Sequence, residues 1–388
     1  MESNTATFLT GGDIAPTKIV GRGMFGELIG LFKAADFSFL NVEHPLSDKG
    51  KPARGKKWLH HGKAEHIEGL REAGIGAINL ANNHVMDFGD DALFDTIAGL
   101  ERVGIPYFGA GRNFGEAAQP LILERKGIKL GLLGYTTLIP MGSAATAHTA
   151  GSNAIRVRTA YRPPYNLDEV PGTAPVIETW PEATDLQRLS SEIAMLKSKV
   201  DVVLVYIHWG TSLIGAIHHH QTAISRAAID AGADGVFGGH QHVVSAIEFY
   251  CNKPIVHCSG DFIFDVIEPW FDESTERNIL FGANITSTGL DDCYIVCCET
   301  GIGQPPRIHL PESPIGEKIV QDLKVFSGAF GTDFKCTHDR ILVGPGTSTH
   351  TTPIHKAALH TMNIQSSLLT ELPANIEANM LTSGESFQ

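Results

Sequence analysis

Short apolar runs rich in β-branched and aromatic residues recur along the chain, separated by stretches whose apolar positions repeat with a helical period. Thr7 to Thr10, Phe37 to Val42, Ala77 to Ala81, Lys129 to Tyr135, Asp201 to Ile207 and Gly235 to Gly238 read as strands. Between them the spacing predicts an amphipathic helix over Asp90 to Arg102, with Leu93, Ile97 and Leu100 on one face and Asp90 and Asp91 at the end where acidic groups suit the helix dipole. Further helices are expected over residues 23–35, 63–73, 185–199 and 220–231. Strand and helix alternating in this way imply an α/β fold with a largely parallel central sheet and helices packed outside it.

Two stretches break the rhythm. Residues 138–182 carry Pro140, Pro163, Pro164, Pro171, Pro175 and Pro181 among scattered aromatics, and read as a long ordered loop or lid. The segment after residue 311 ends in a tract rich in Thr, Ser, His and Asn. The expected organisation is a catalytic domain over residues 1–310 and a C-terminal appendage or tail over 311–388.

With 388 residues, 43% of them hydrophobic and 19% charged, the chain can bury a large core. A formal net charge of -13, without a long Lys/Arg cluster, excludes a nucleic-acid partner. Arg54, Lys56 and Lys57 form a small basic group that either meets one anionic group or lies in a solvated loop. Neither a signal-like start nor a long apolar run is seen, so the expectation is a cytoplasmic protein without membrane contact. The six cysteines fall in the C-terminal half without paired C-x-x-C spacing, and read as reduced thiols.

Chemistry concentrates where the predicted strands end. Asp13, Glu43 with His44, Asn83 with His84, His208, and His240 with His242 all lie at or just past a C-terminal strand end, the edge at which α/β sheets build their sites. Each alone has a structural explanation as a turn cap, a loop residue or a core histidine; so many nitrogen and oxygen donors on one edge point to a site. Imidazole, carboxylate and amide without thiolate suit Fe, Mn or Zn. His240 and His242, two residues apart, are placed to serve neighbouring ions, and a carboxylate such as Glu43 can bridge them. His84, followed by Asp87, suits proton donation to a leaving group, with a supporting role or ligation as the alternatives; Asp87 either orients that ring or caps the following helix.

The segments Gly12-Asp13, Asn41-Val42-Glu43-His44-Pro45-Leu46, Leu80 to Gly89 with its Asn82-Asn83-His84, Ile207-His208-Trp209-Gly210, Gly239-His240-Gln241-His242 and Ser259 to Asp265 occur in an order that resembles the CapA-type poly-γ-glutamate capsule-biosynthesis proteins, a branch of the calcineurin-like metallophosphatase superfamily. The resemblance spans roughly residues 7–265. It implies a four-layer α/β/β/α sandwich of metallophosphatase type with a dinuclear site, in which Asp13 and His242 serve mainly one metal, Asn83, His208 and His240 the other, Glu43 bridges, and His84 is the catalytic histidine. Three departures stand out. Ala15 occupies the place of a usual histidine, Thr211-Ser212-Leu213 follows where an acidic residue is usual, and Asp261 stands where Asn is common. With Ala15 the first metal is one ligand short unless water, His44 or another group fills the place.

The expected function is a dinuclear-metal-dependent hydrolase that turns metal-bound hydroxide on a small-molecule ester, a phosphoester or an acyl thioester. Alternatives are poly-γ-glutamate synthesis or release, γ-glutamyl amide hydrolysis, and a non-catalytic CapA-like binding protein. Arg54, Lys57, His61 and Tyr135 are the expected substrate contacts, and Tyr161, Tyr165 and Trp180 with Tyr135 would make the 138–182 stretch an apolar lid suited to an acyl group. A homo-oligomer is compatible with the sequence.

Overall fold

The computed structural model of the chain describes residues 5–18, 21–163, 168–266 and 271–346. Successive residues of a strand face opposite sides, and here both sides are apolar. In the strand Ala6–Ala15, Phe8 joins a cluster containing Phe37, Phe39, Leu130, Leu204 and Phe237, whereas Leu9 joins Leu40, Val42, Leu70 and Leu93. The strand Val202–His208 divides in the same way: Val202, Leu204 and Tyr206 enter the first cluster, while Val203, Val205 and Ile207 pack with Leu189, Ile193 and Ile224 of two helices. The first cluster is therefore a seam between two sheets, and the other two lie between each sheet and its helices. Four layers, α/β/β/α, result. The alternation of elements suggested one central sheet, whereas the resemblance implied these four layers.

Among the described residues the larger sheet has ten strands. At its centre Ala6–Ala15 runs parallel to Phe37–Val42 on one side. On the other it pairs antiparallel with Arg277–Thr286 and, past a register shift, parallel with Asp261–Phe264. The second sheet has six strands: Ile128–Thr136, Val202–His208, Gly235–Gly239 and Lys253–Val256 run parallel, with Leu121–Arg125 and Ile247–Tyr250 antiparallel at the edges. Aromatic rings lock the seam. Phe39 meets Phe8, Phe108, Tyr206 and Phe237 at centroid distances of 5.7, 5.8, 6.2 and 5.8 Å, in the range where tilted and edge-on pairs are favourable.

The expected helices appear as Gly89–Val103, His66–Ala73, Ala183–Lys197 and His219–Asp230. Asp90 and Asp91 occupy the first turn of Gly89–Val103, as the dipole favours. The expected helix over 23–35 is broken into short turns before Ile29–Ala34, because Gly26 adopts φ +51 within it. The 138–182 stretch is not a plain loop: Val157–Arg162 and Val176–Pro181 pair as an antiparallel hairpin. Tyr165 lies outside the described residues.

The segment expected to be an appendage is built into the larger sheet as far as residue 346. Pro314–Ser327 forms a helix whose Ile319 and Leu323 enter the seam, and Thr332–Cys336 and Ile341–Pro345 add strands to the sheet. Its buried positions Ile319, Val320 and Leu323 repeat with a helical period. Residues 347–388 lie outside the described residues. The six cysteines are unpaired. Among the described residues no helix is long and apolar enough to cross a membrane.

Candidate metal centre

The two sheets bring their C-terminal strand ends to one place. Asp13 is registered against Asn41 on one neighbouring strand and against Asp261 on the other, while in the second sheet His208 is registered against Gly239, next to His240. Two groups of donors result. Glu43, His208 and His240 offer atoms within 4.8 Å of one another, and so do Asp13, His242 and Asp261. In the first group His208 Nε2 lies 3.1 Å from Glu43 Oε1 and 3.1 Å from Asn83 Oδ1. His240 Nδ1 lies 3.9 Å from Glu43 Oε1. In the second, His242 Nδ1 lies 2.8 Å from Asp261 Oδ1.

Asp13 is held from three sides. Asn41 Nδ2 and the Tyr206 hydroxyl donate to Oδ1 at 2.7 and 2.8 Å, and the His240 backbone N–H donates to Oδ2 at 2.7 Å. This approach requires a glycine before His240, since a Cβ on Gly239 would stand 2.1 Å from the Tyr206 hydroxyl and 2.5 Å from Asp13 Oδ1. His240 and His242 themselves adopt φ of +85 and +58, conformations that non-glycine residues rarely take. Such outliers collect at functional sites, where surrounding contacts hold the side chains to one aim.

Asp13, Glu43 and Asp261 are all buried, and among the described residues only histidines form ion pairs with them. Burial and the neighbouring Glu43 raise Asp13. Burial would raise Glu43 too, yet His242 and His208 hold it well below the usual carboxylate range. Burial pushes Asp261 up to about 7 and His240 down to about 3. Burial disfavours charge on His242 as well, but Asp261, Glu43 and Asp13 outweigh it and raise that ring to about 10. Within this nest Glu43 Oε2 and His240 Nδ1 are buried without any hydrogen-bond partner. An orphaned buried polar atom costs about 1–3 kcal/mol, a cost that a cation between these donors would remove. The donor set fits divalent metal ions.

Beside the donors sits His84. Its Nδ1 lies 2.6 Å from Asp87 Oδ2, which also accepts the His60 backbone N–H at 2.7 Å. The Lys56 ammonium bonds Asp87 Oδ1 and the Asn83 carbonyl, and lies 3.1 Å from His84 Nδ1. Burial lowers the Lys56 pKa, although Asp87 opposes this. Asp87 thus serves His84; the following helix is capped by Phe88, without a side-chain cap. A cavity of about 330 Å³ adjoins this corner, lined among others by Arg54, Lys56, Asn83, Asp87 and Met141.

Asp13, Glu43, Asn83, His84, Asp87, His208, His240 and His242 are all drawn together here. Other expected residues are not. His44 is buried, belongs to neither donor group, and its Nε2 faces the Pro16 carbonyl at 3.2 Å. Tyr135 packs in the helix-side core of the second sheet, its hydroxyl donating to Glu192 at 2.6 Å, so it cannot touch a substrate. Lys57 is exposed over the Trp58 ring, and His61 is exposed against Phe88. Tyr161 and Trp180 are 69% and 43% exposed, and neither belongs to a donor group or to the cavity lining.

Several features of the site are not read from the sequence: Asn41, Tyr206, His60, the tie of Lys56 to Asp87 and the donor role of Asp261. Asn41 and Tyr206 stand two residues before Glu43 and His208, and the period of two would have placed them on the same face. Nothing in its spacing sets Lys56 apart from Arg54 and Lys57.

A model of the bacterial capsule synthesis protein family PGA_cap matches residues 10–266. The chain is 26% identical over 302 residues to the capsule biosynthesis protein CapA of Bacillus anthracis, covering 77% of this chain and 67% of that one. It is 27% identical over 237 residues to the PGA biosynthesis protein CapA of Bacillus subtilis, covering 61% and 55%. The chain thus spans about half to two thirds of the length of these relatives. With its two sheets, its strand-end donors and most of its length inside the matched region, the chain belongs to the PGA_cap family of bacterial capsule synthesis proteins.

Proposed function

We propose that this chain is a hydrolase that works with two divalent cations, Fe, Mn or Zn, on a small anionic ester, a phosphoester before an acyl thioester. The observation that carries the reading is the pair of buried donor groups, with Glu43 Oε2 and His240 Nδ1 unpartnered, beside the His84–Asp87 pair. Glu43, Asn83, His208 and His240 would hold one cation, and Asp13 and His242 the other, with Glu43 reaching both. When bound, such a pair polarises a phosphoryl or carbonyl oxygen and acidifies a water. His84, oriented by Asp87 through Nδ1, keeps Nε2 to give a proton to the leaving group. Lys56 ties Asp87 to the Asn83 carbonyl, so that donor and ligand are held in one network.

Arg54 and Lys56 on the cavity wall favour an anionic substrate, and the solvent-facing Tyr161 and buried Tyr135 weaken the case for an acyl chain. A second reading is action on a γ-glutamyl amide in poly-γ-glutamate synthesis or release. Family membership and the same basic wall, suited to carboxylates, favour it. A screen of the cation-loaded chain against p-nitrophenyl phosphate, bis-p-nitrophenyl phosphate, acyl-CoA thioesters and γ-glutamyl peptides tests both. Phosphoester cleavage abolished by His84→Ala supports the first; cleavage of γ-glutamyl peptides alone supports the second. Inertness towards all four with both cations bound leaves a binding protein.

A further inference from the structure

The strand Ala6–Ala15 delivers Asp13 to the site, and two residues on, where a strand presents the same face again, Ala15 offers no donor. The adjacent strand Asp261–Phe264 supplies one instead. Asp261 is the residue registered against Asp13, and it is 2% exposed. Donor atoms of Asp13, His242 and Asp261 lie within 4.8 Å of one another. The neighbouring carboxylate, Glu43, has a buried oxygen without any hydrogen-bond partner. Three carboxylates thus share a buried space whose ion pairs, among the described residues, are with histidines alone. Buried anions in such number are costly unless a cation completes the arrangement.

We infer that Asp261 is a direct ligand of the cation held by Asp13 and His242, supplying from a neighbouring strand the donor that position 15 lacks. The inference rests on the two-cation reading above. It makes the two cation positions chemically unequal. One is framed by the carboxylates of Asp13, Asp261 and Glu43 with a single imidazole; the other has His208 and His240, the Asn83 amide and Glu43. The oxygen-rich position suits Mn²⁺, and the imidazole-rich one suits Zn²⁺ or Fe²⁺.

The competing role for Asp261 is to orient the His242 ring through the 2.8 Å contact to Nδ1 without touching the cation. Asp261→Asn separates the two, since the amide keeps the shape and an oxygen acceptor for that ring but replaces the anionic donor to the cation with a weaker neutral one. The test is calorimetric titration of the full metal-stripped chain with Mn²⁺, with the Mn²⁺ resonance spectrum as a second readout and a melting curve to verify folding. Wild type is expected to take up two ions, and Asp261→Asn to keep one while the other weakens by more than the roughly 100-fold that loss of a partner behind a ligand costs. Asp261→Ser, measured alongside, should show the same loss. Two ions bound to Asp261→Asn with wild-type affinity would overturn the assignment of Asp261 and leave the two-cation reading standing. A wild type that takes up no ion would overturn both.

Discussion

Asp87 receives His84 Nδ1 at 2.6 Å on one carboxylate oxygen while Lys56 occupies the other. An imidazole held in this way donates from Nδ1 to the carboxylate and leaves Nε2 facing outward, where a proton taken up by the ring can be passed to a leaving group. His84→Ala is therefore expected to retain both cations and to lose about 10²–10⁴-fold in rate. Turnover of the substrate found by screening, with the cation content measured on the same sample, checks this. Full activity in the variant would remove His84 from the chemistry.

Glu43 and Asn83 act differently, because each has an oxygen 3.1 Å from His208 Nε2 within the donor nest. Glu43→Gln and Asn83→Ala should both reduce the cations retained after purification, and activity should fall with them. Elemental analysis of each variant decides.

The Tyr206 hydroxyl donates to Asp13 Oδ1 at 2.8 Å from two residues before His208. Tyr206→Phe removes that bond and little volume. It should weaken cation binding roughly 10- to 100-fold, the usual effect of deleting a partner behind a ligand, while the fold survives. Calorimetry with Mn²⁺ reads the affinity, and circular dichroism reads the fold.

His220 lies away from the donors, 5% exposed, with Nδ1 2.9 Å from the Thr179 hydroxyl. Burial pushes its pKa from 6.5 down to about 3. Above 6.5 neither the folded nor the unfolded chain protonates this ring. Between there and about 3 the unfolded chain binds a proton that the folded chain refuses, so stability falls as pH falls, by at most about 1.4 kcal/mol per pH unit for this one group. His220→Asn should flatten the acid side of the stability curve. Denaturant melts between about pH 7.5 and pH 4.5 would show it; identical slopes for the two chains would contradict the assignment.

Much of the site was legible because period and edge agree. Asp13, Glu43, Asn83, His208, His240 and His242 each follow a short apolar run, and in a sheet of parallel strands such ends converge. The second sheet was not legible from pattern alone. Phe8 and Leu9, or Leu204 and Val205, are equally apolar, so the strands declare two covered faces without saying whether a helix or another sheet covers them. Tyr135 misled for the same reason: its strand end is at the right edge, but its side of the pleat turns to the helices. Asp261 reaches the site only through its pairing with Asp13, a strand neighbour distant in the chain.

The central claim is that the two donor groups hold two cations. Elemental analysis of the full chain, purified both aerobically and anaerobically, tests it most directly. The account predicts about two ions of Fe, Mn or Zn per chain, lost together with activity on chelation. Near-zero content of all three after both preparations, with no uptake when the ions are added back, would contradict it.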